Sequence, residues 1–180
     1  MKAGDVAWKK LNGDVFRTPE FPNIFACFVG MGVQIFISLY GMLVFATLFF
    51  SNYMLRPYVF TMSIVSLATM GWVNGFTTSQ VLKFFGSVDW FFSAMISSLL
   101  LPLCLITTGG FIDIIEWLED SSSFVPFSSV FFYGCCWLAV SIPLSFHGAY
   151  TGFGIDKAKR PCKVNTIRRQ IPPQPVFMQL

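Results

Sequence analysis

Four apolar runs, each longer than the roughly 20 residues that cross a bilayer core, constrain this chain more than any other feature. They cover about 24–50, 57–81, 91–112 and 124–150, and charged residues gather at the two ends and in the short gaps. Inside lipid every backbone N–H and C=O needs a partner within the segment, so runs of this length are helices. The alternating apolar and polar pattern of a membrane barrel strand is absent. Only 12% of the residues are charged, against about 25% in an ordinary soluble domain. The expected fold is therefore all-α: a polytopic membrane protein with four transmembrane helices. Residues 1–23 read as a cytosolic juxtamembrane segment, 24–150 as the four-helix region, and 151–180 as a basic, proline-rich cytosolic tail or loop.

Positive charge sets the orientation. Lys2, Lys9, Lys10 and Arg17 precede the first run; Lys157, Lys159, Arg160, Lys163, Arg168 and Arg169 follow the last. Arg56 is the one basic residue between the first two runs, and none lies between the last two. Both termini are thus expected in the cytosol, together with the turn that carries Lys83. The flanking basic residues suit anionic lipid headgroups and need no nucleic acid to explain them. Cys27, Cys104, Cys135 and Cys136 fall within apolar runs and Cys162 in the tail, which predicts no structural disulfide.

No helical His-Glu-x-x-His, phosphate-cradling glycine loop or Cys/His metal spacing is present, and a single histidine, His147, supports little acid–base chemistry. The chain is read as no enzyme, with no catalytic, cofactor-binding or metal residues. What stands out is a set of small residues and amides inside the runs. Gly30 and Gln34, then Gly71, Asn74 and Gly75, then Gly148 and Gly152 recur at one-turn spacing. Small residues so spaced let helix backbones approach closely, and a buried amide needs a partner on another helix. They are candidates for helix docking, either within the chain or against another membrane protein. Pro102 and Pro143 are expected to kink the third and fourth helices. Asp113 and Glu116, one turn apart, form a candidate lumenal cation or proton site; the alternative is an ordinary acidic outside loop.

Several of these motifs, taken in order, resemble the nonaspanins, the transmembrane-nine superfamily also called endomembrane protein 70. Gly13-Asp14-Val15-Phe16-Arg17 resembles the family's cytosolic lead-in, and Gly30, Gly32, Val33 and Gln34 its glycine-Val-Gln group. Gly75, Ser79, Lys83 and Gly86 match around a cytosolic turn; Trp117, Ser121, Ser122, Pro126 and Phe127 match around a lumenal loop. Ser141, Pro143, Leu144, Phe146, Gly148, Ala149, Tyr150, Gly152 and Phe153 match a stretch at the end of a span. Asn165, Ile167, Arg169, Gln170, Ile171 and Pro172 resemble a cytosolic loop motif, with Arg168 where the family usually has proline. Of that motif Asn165, Arg169, Gln170 and Pro172 are the candidate functional residues. The likeness covers only spans two to five of the family, so the remaining family spans are expected partners if the chain is a piece of a longer protein.

The resemblance implies Golgi and endosomal membranes, no cofactor, and a non-enzymatic role in the sorting or surface delivery of other membrane proteins. On the residues, Gln34 and Asn74 beside Gly30, Gly71 and Gly75 would dock glycine-rich spans of such partners in the lipid bilayer. The alternative is part of a small-solute or ion transporter or channel, which kinked helices and the acids at 113 and 116 would suit.

Overall fold

The structure is a computed structural model that describes residues 16–49, 58–86, 89–119, 125–156 and 158–164. The chain divides into two compact units. Pro19–Ala158 contains five helices: α1 (Pro22–Phe49), α2 (Val59–Thr69), α3 (Gly71–Phe85), α4 (Trp90–Leu118) and α5 (Phe127–Gly154). The other unit, Met1–Thr18 with Lys159–Leu180, shows turns and bends where it is described and neither helix nor strand there. No strand occurs among the described residues.

Three single helices are long and apolar enough to cross a membrane: α1, α4 and α5. They correspond to the first, third and fourth expected spans, with α4 running six residues past the expected limit of 112 to Leu118. The second expected span, 57–81, is not one helix. It is split at Met70 into an 11-residue α2 and a 15-residue α3, about 17 Å and 23 Å long, each shorter than the ~30 Å hydrocarbon core. The physical reason lies across the interface. The Gln34 side chain on α1 donates its Nε2 hydrogen to the carbonyl of Leu67 at 2.7 Å. In a continuous helix that carbonyl would accept from Gly71, four residues on, and a side chain inserted into the ladder is a recognised cause of a helix break. Thr69 adds to it by turning its hydroxyl back on the carbonyls of Val65 and Ser66, at 2.9 and 3.1 Å, a bond that bends helices. Pro102 and Pro143, where kinks were expected, sit inside helices that run on through them.

Pairings between helices define the bundle. Phe25 on α1 meets Phe85 on α3 edge to face, and Trp90 on α4 lies 6.1 Å from Phe153 on α5. The start of α1, the end of α3, the start of α4 and the end of α5 therefore share one end of the bundle. α3 and α5 run parallel, with Gly71 against Ser141, Gly75 against Ser145 and Ala149, and Gly152 against Phe76 and Ser79. At the shared end α3 is closed by Gly86, whose φ of 84° suits a residue without a Cβ and whose N–H reaches the Leu82 and Lys83 carbonyls at 3.0 and 3.1 Å.

The interior inverts the rule for soluble proteins. Among the described residues, buried polar side chains outnumber buried hydrophobic ones ten to seven, while Phe28, Phe36, Leu43, Phe111, Phe127 and Tyr150 point outward. In water, exposed apolar surface of this extent would drive association. Against lipid tails it costs nothing, and packing between helices falls to small residues and polar contacts instead. Hydroxyls on the outer face solve their own bonding: Thr107 and Thr108 each return to a carbonyl four residues back, at 2.8 Å.

Candidate functional site

The small residues and amides singled out in the sequence come together in one place, a seam where α3 meets α5 and α1. Gly75 and Gly148 form its tightest part. A Cβ added at Gly75 would lie 2.7 Å from the carbonyl carbon of Ser145, and one at Gly148 would lie 2.9 Å from that of Trp72, with each carbonyl oxygen nearer still. At these two positions the backbones of α3 and α5 touch. Gly71 is a looser third contact, where an added Cβ would lie 3.0 Å from the Ser141 hydroxyl, and Gly152 faces the Ser79 hydroxyl and the Phe76 carbonyl. Gly30 brings α1 onto the opposite flank of α3, against the side chains of Thr78 and Asn74.

Around the glycines, side chains bond to backbone carbonyls on neighbouring helices. Asn74, 1% exposed, donates from Nδ2 to the Ser97 carbonyl on α4 at 2.8 Å and accepts from the Thr78 hydroxyl at 3.3 Å. Gln34, also 1% exposed, donates to Leu67; its Oε1 has no partner among the described residues. One turn further along α1, the Ser38 hydroxyl shares a 2.9 Å hydrogen bond with Ser66 of α2. Cys27 donates from Sγ to the Ser93 carbonyl at 3.4 Å. The faces of Gly30, Gln34, Gly71, Asn74, Gly75, Gly148 and Gly152 are thus occupied by helices of the same chain. Of the two destinations the spacing left open for them, the structure fills the internal one.

Asn74 ties α1, α3 and α4 at one point, and its removal is expected to loosen all three. Asn74→Ala should lower stability in detergent by about 1 kcal/mol, the scale of interhelical hydrogen bonds in membranes. Thermal unfolding of the purified variant checks this, and an unchanged midpoint would show that the Asn74 bonds contribute nothing.

At the shared end, α3 caps α5. Gln80 donates from Nε2 to the Gly152 carbonyl at 2.6 Å, and the Lys83 ammonium reaches the carbonyls of Phe153 and Ile155 while lying 5.0 Å from the Phe153 ring centroid. Gln80 escaped the sequence reading, and Lys83 entered it as an orienting charge and as a match to the family's cytosolic turn, not as a helix cap. Both lie on the face of α3 that continues from Trp72 and Phe76 by helical spacing, which is the signal that would have found them.

Asp113 and Glu116 sit on the last turns of α4, both half-buried. An Asp113 carboxylate oxygen accepts the Val125 N–H at 2.9 Å, fastening the lead-in of α5 to α4. Among the described residues no group of three or more His, Cys, Asp or Glu side chains is placed to hold a metal ion. His147 is exposed on α5, and its carbonyl accepts the Thr151 hydroxyl at 3.1 Å. The loop motif Asn165, Arg169, Gln170 and Pro172 lies outside the described residues.

Comparison with known proteins agrees with the resemblance. The chain is 32% identical over 173 residues to Transmembrane 9 superfamily member 2 of Homo sapiens, covering 96% of this chain and 26% of that protein. It is 32% identical over 174 residues to Transmembrane 9 superfamily member 10 of Arabidopsis thaliana, covering 97% and 27%. With Transmembrane 9 superfamily member 1 of Saccharomyces cerevisiae it is 32% identical over 176 residues, covering 97% and 26%. The chain therefore spans about a quarter of the length of the curated relatives it matches. No solved structure matches it. The family model for Endomembrane protein 70 matches residues 2–180, and with glycines, amides and apolar helices arranged as described, the chain belongs to that family, the transmembrane 9 superfamily.

Proposed function

We propose that this chain is part of a non-enzymatic endomembrane protein, resident in Golgi and endosomal membranes with both described ends of its helical region facing the cytosol. Its role is to assist the sorting or surface delivery of other membrane proteins through helix–helix recognition in the bilayer. One observation carries this reading: the chemistry of the bundle is chemistry that holds helices. Its glycines admit neighbouring backbones, and Gln34, Asn74, Gln80 and Lys83 all bond to main-chain carbonyls of other helices. Contacts of this kind read the shape and backbone of a transmembrane segment and transform nothing.

Depletion of the protein followed by surface biotinylation tests the role. A defined subset of integral membrane proteins is expected to fall at the surface and accumulate internally, with total amounts unchanged. A surface complement identical to that of untreated cells would overturn the proposal.

A second reading, part of a small-solute or ion transporter, is favoured by the break at Met70, since interrupted helices line the sites of many transporters. Cation flux through proteoliposomes that disappears in Asp113→Asn would select it. That variant keeps an oxygen to accept the Val125 N–H, so the helix connection is retained.

A further inference from the structure

α2 is the least integrated helix of the bundle. Of its described side chains only Ala68 is buried, and its chain path to α3 is interrupted at Met70. Side-chain contacts to α1 include Gln34 on the Leu67 carbonyl and Ser38 with Ser66. Both have a particular chemistry. A carbonyl inside an unbroken helix is already engaged by the N–H four residues on, so the Gln34 amide is suited to a carbonyl that a break or a proline has set free. The Gln34 Oε1 remains an acceptor with no donor among the described residues, in a side chain 1% exposed. A hydroxyl beside the carbonyl would suit it.

We propose that α2 is a displaceable cover, hinged at Met70, over a reading site formed by Gln34 and Ser38 of α1. The site's ligand is a transmembrane helix of another membrane protein that presents a serine or threonine directly before a carbonyl freed by proline. Ser66 and Leu67 of α2 are the internal copy of that ligand. The inference rests on helix recognition as the function and specifies which face performs it. The glycine seam of α3 and α5 is closed by backbone contact and stays shut. The α1–α2 contact is held by a few side-chain bonds and can exchange. Because α2 is tethered beside its site, its effective concentration is in the millimolar range for a short linker, and an incoming helix must outcompete it. Binding is therefore weak and reversible, as transient recognition in transit requires.

The test uses the full chain, reconstituted in phosphatidylcholine vesicles with a donor fluorophore on a terminal tag. The probe is an acceptor-labelled Leu/Ala transmembrane peptide with Ser-Leu-Ala-Leu-Ala-Pro at its centre. A matched peptide with Ala for Ser and Leu for Pro serves as control. The protein is expected to prefer the probe about tenfold; Gln34→Leu should abolish the preference, whereas Asn74→Ala, which also removes one interhelical hydrogen bond but lies off the site, should keep it. Ser38→Cys combined with Ser66→Cys allows the cover to be locked, since the two hydroxyl oxygens are 2.9 Å apart. Reduced, this variant keeps Gln34 but loses the Ser38 hydroxyl, and should bind the probe more weakly than wild type; oxidised, it should bind about tenfold less again or not at all. Wild type in the same oxidant controls for the five native cysteines. Equal binding of the two peptides, or undiminished binding by the locked protein, would overturn the proposal. Such a result with a perturbed surface complement on depletion removes the α1 site and leaves the sorting role standing; a preferred probe with an unperturbed surface does the reverse.

Discussion

Gly75→Ala or Gly148→Ala is expected to abolish a stably folded bundle. At both positions the new methyl would be directed at a peptide group of the facing helix, within the 3.0 Å that real Cβ atoms essentially never breach. A flexible side chain can rotate away from such an intrusion, and a helix backbone cannot. Relief requires α3 and α5 to separate along the seam, which also pulls Gln80 and Lys83 off the end of α5. Overpacking a tight contact costs about 1–3 kcal/mol, and these sites belong at or above the top of that range. That is a large share of the stability of a marginal fold. Fluorescence-detected size exclusion and thermal unfolding in detergent would show the loss as aggregation or a sharply lowered midpoint. The control lies in the same protein. Gly32, Gly41, Gly109 and Gly110 have nothing within 4 Å of an added Cβ, so alanine at these helical sites should leave the midpoint unchanged or raise it slightly. Gly152 offers a graded case, because its closest obstacle is the Ser79 hydroxyl rather than backbone. Ser79→Ala should partly restore Gly152→Ala and should do nothing for Gly75→Ala. If all these alanine variants behaved alike, close backbone approach would not be what holds α3 to α5.

The same geometry changes what glycine variants can report. Leucine at Gly71 and Gly75 would be an obvious way to ask whether those residues dock a partner protein. Since Gly75 touches Ser145 of its own chain, such a variant measures folding. Docking has to be tested where a helix can leave, which is the argument for Gln34 and Ser38.

The all-helical class and three of the crossings could be read directly, because a run of apolar residues longer than a bilayer is thick has few other uses. The seam could be read as a set of residues, since small side chains at one-turn spacing mark close approach. Their mutual pairing could not, because four glycine-bearing helices allow several matches and the spacing rule is the same for all. The break at Met70 was hidden for a different reason. No proline marks it, and its main cause, Gln34, is distant in sequence and acts on a backbone atom that has no letter of its own. Pro102 and Pro143, read as kinks, lie inside α4 and α5, which continue through them. Asp113 was weighed with Glu116 as a cation or proton site on charge and one-turn spacing, and its observed contact, a main-chain N–H twelve residues on, again involves backbone.

Lys83→Met is the second variant expected to have a large effect, and it separates two roles that one residue can hold. Under the positive-inside rule Lys83 would contribute to orientation, and any basic residue nearby would compensate for that part. As a cap it is specific. Its ammonium reaches the carbonyls of Phe153 and Ile155 where α5 ends, groups that an α-helix leaves without intrahelical partners. The positive charge also meets the negative end of the α5 dipole, and the aliphatic stem packs against the Phe153 ring. A hydrogen bond from a charged group contributes about 1.5–3 kcal/mol. Since Lys83 is partly exposed and water can replace it at the carbonyls, a loss of about 2 kcal/mol is expected. Methionine keeps most of the stem and removes the charge, so the variant isolates the cap from the packing. Its thermal midpoint should fall, and limited proteolysis should gain cleavage in 153–160, where α5 would fray. Replacing the exposed Asp89 with asparagine would restore the local net charge without restoring either carbonyl contact. If that second change recovered stability, Lys83 would be acting through charge alone, and the capping role would be refuted.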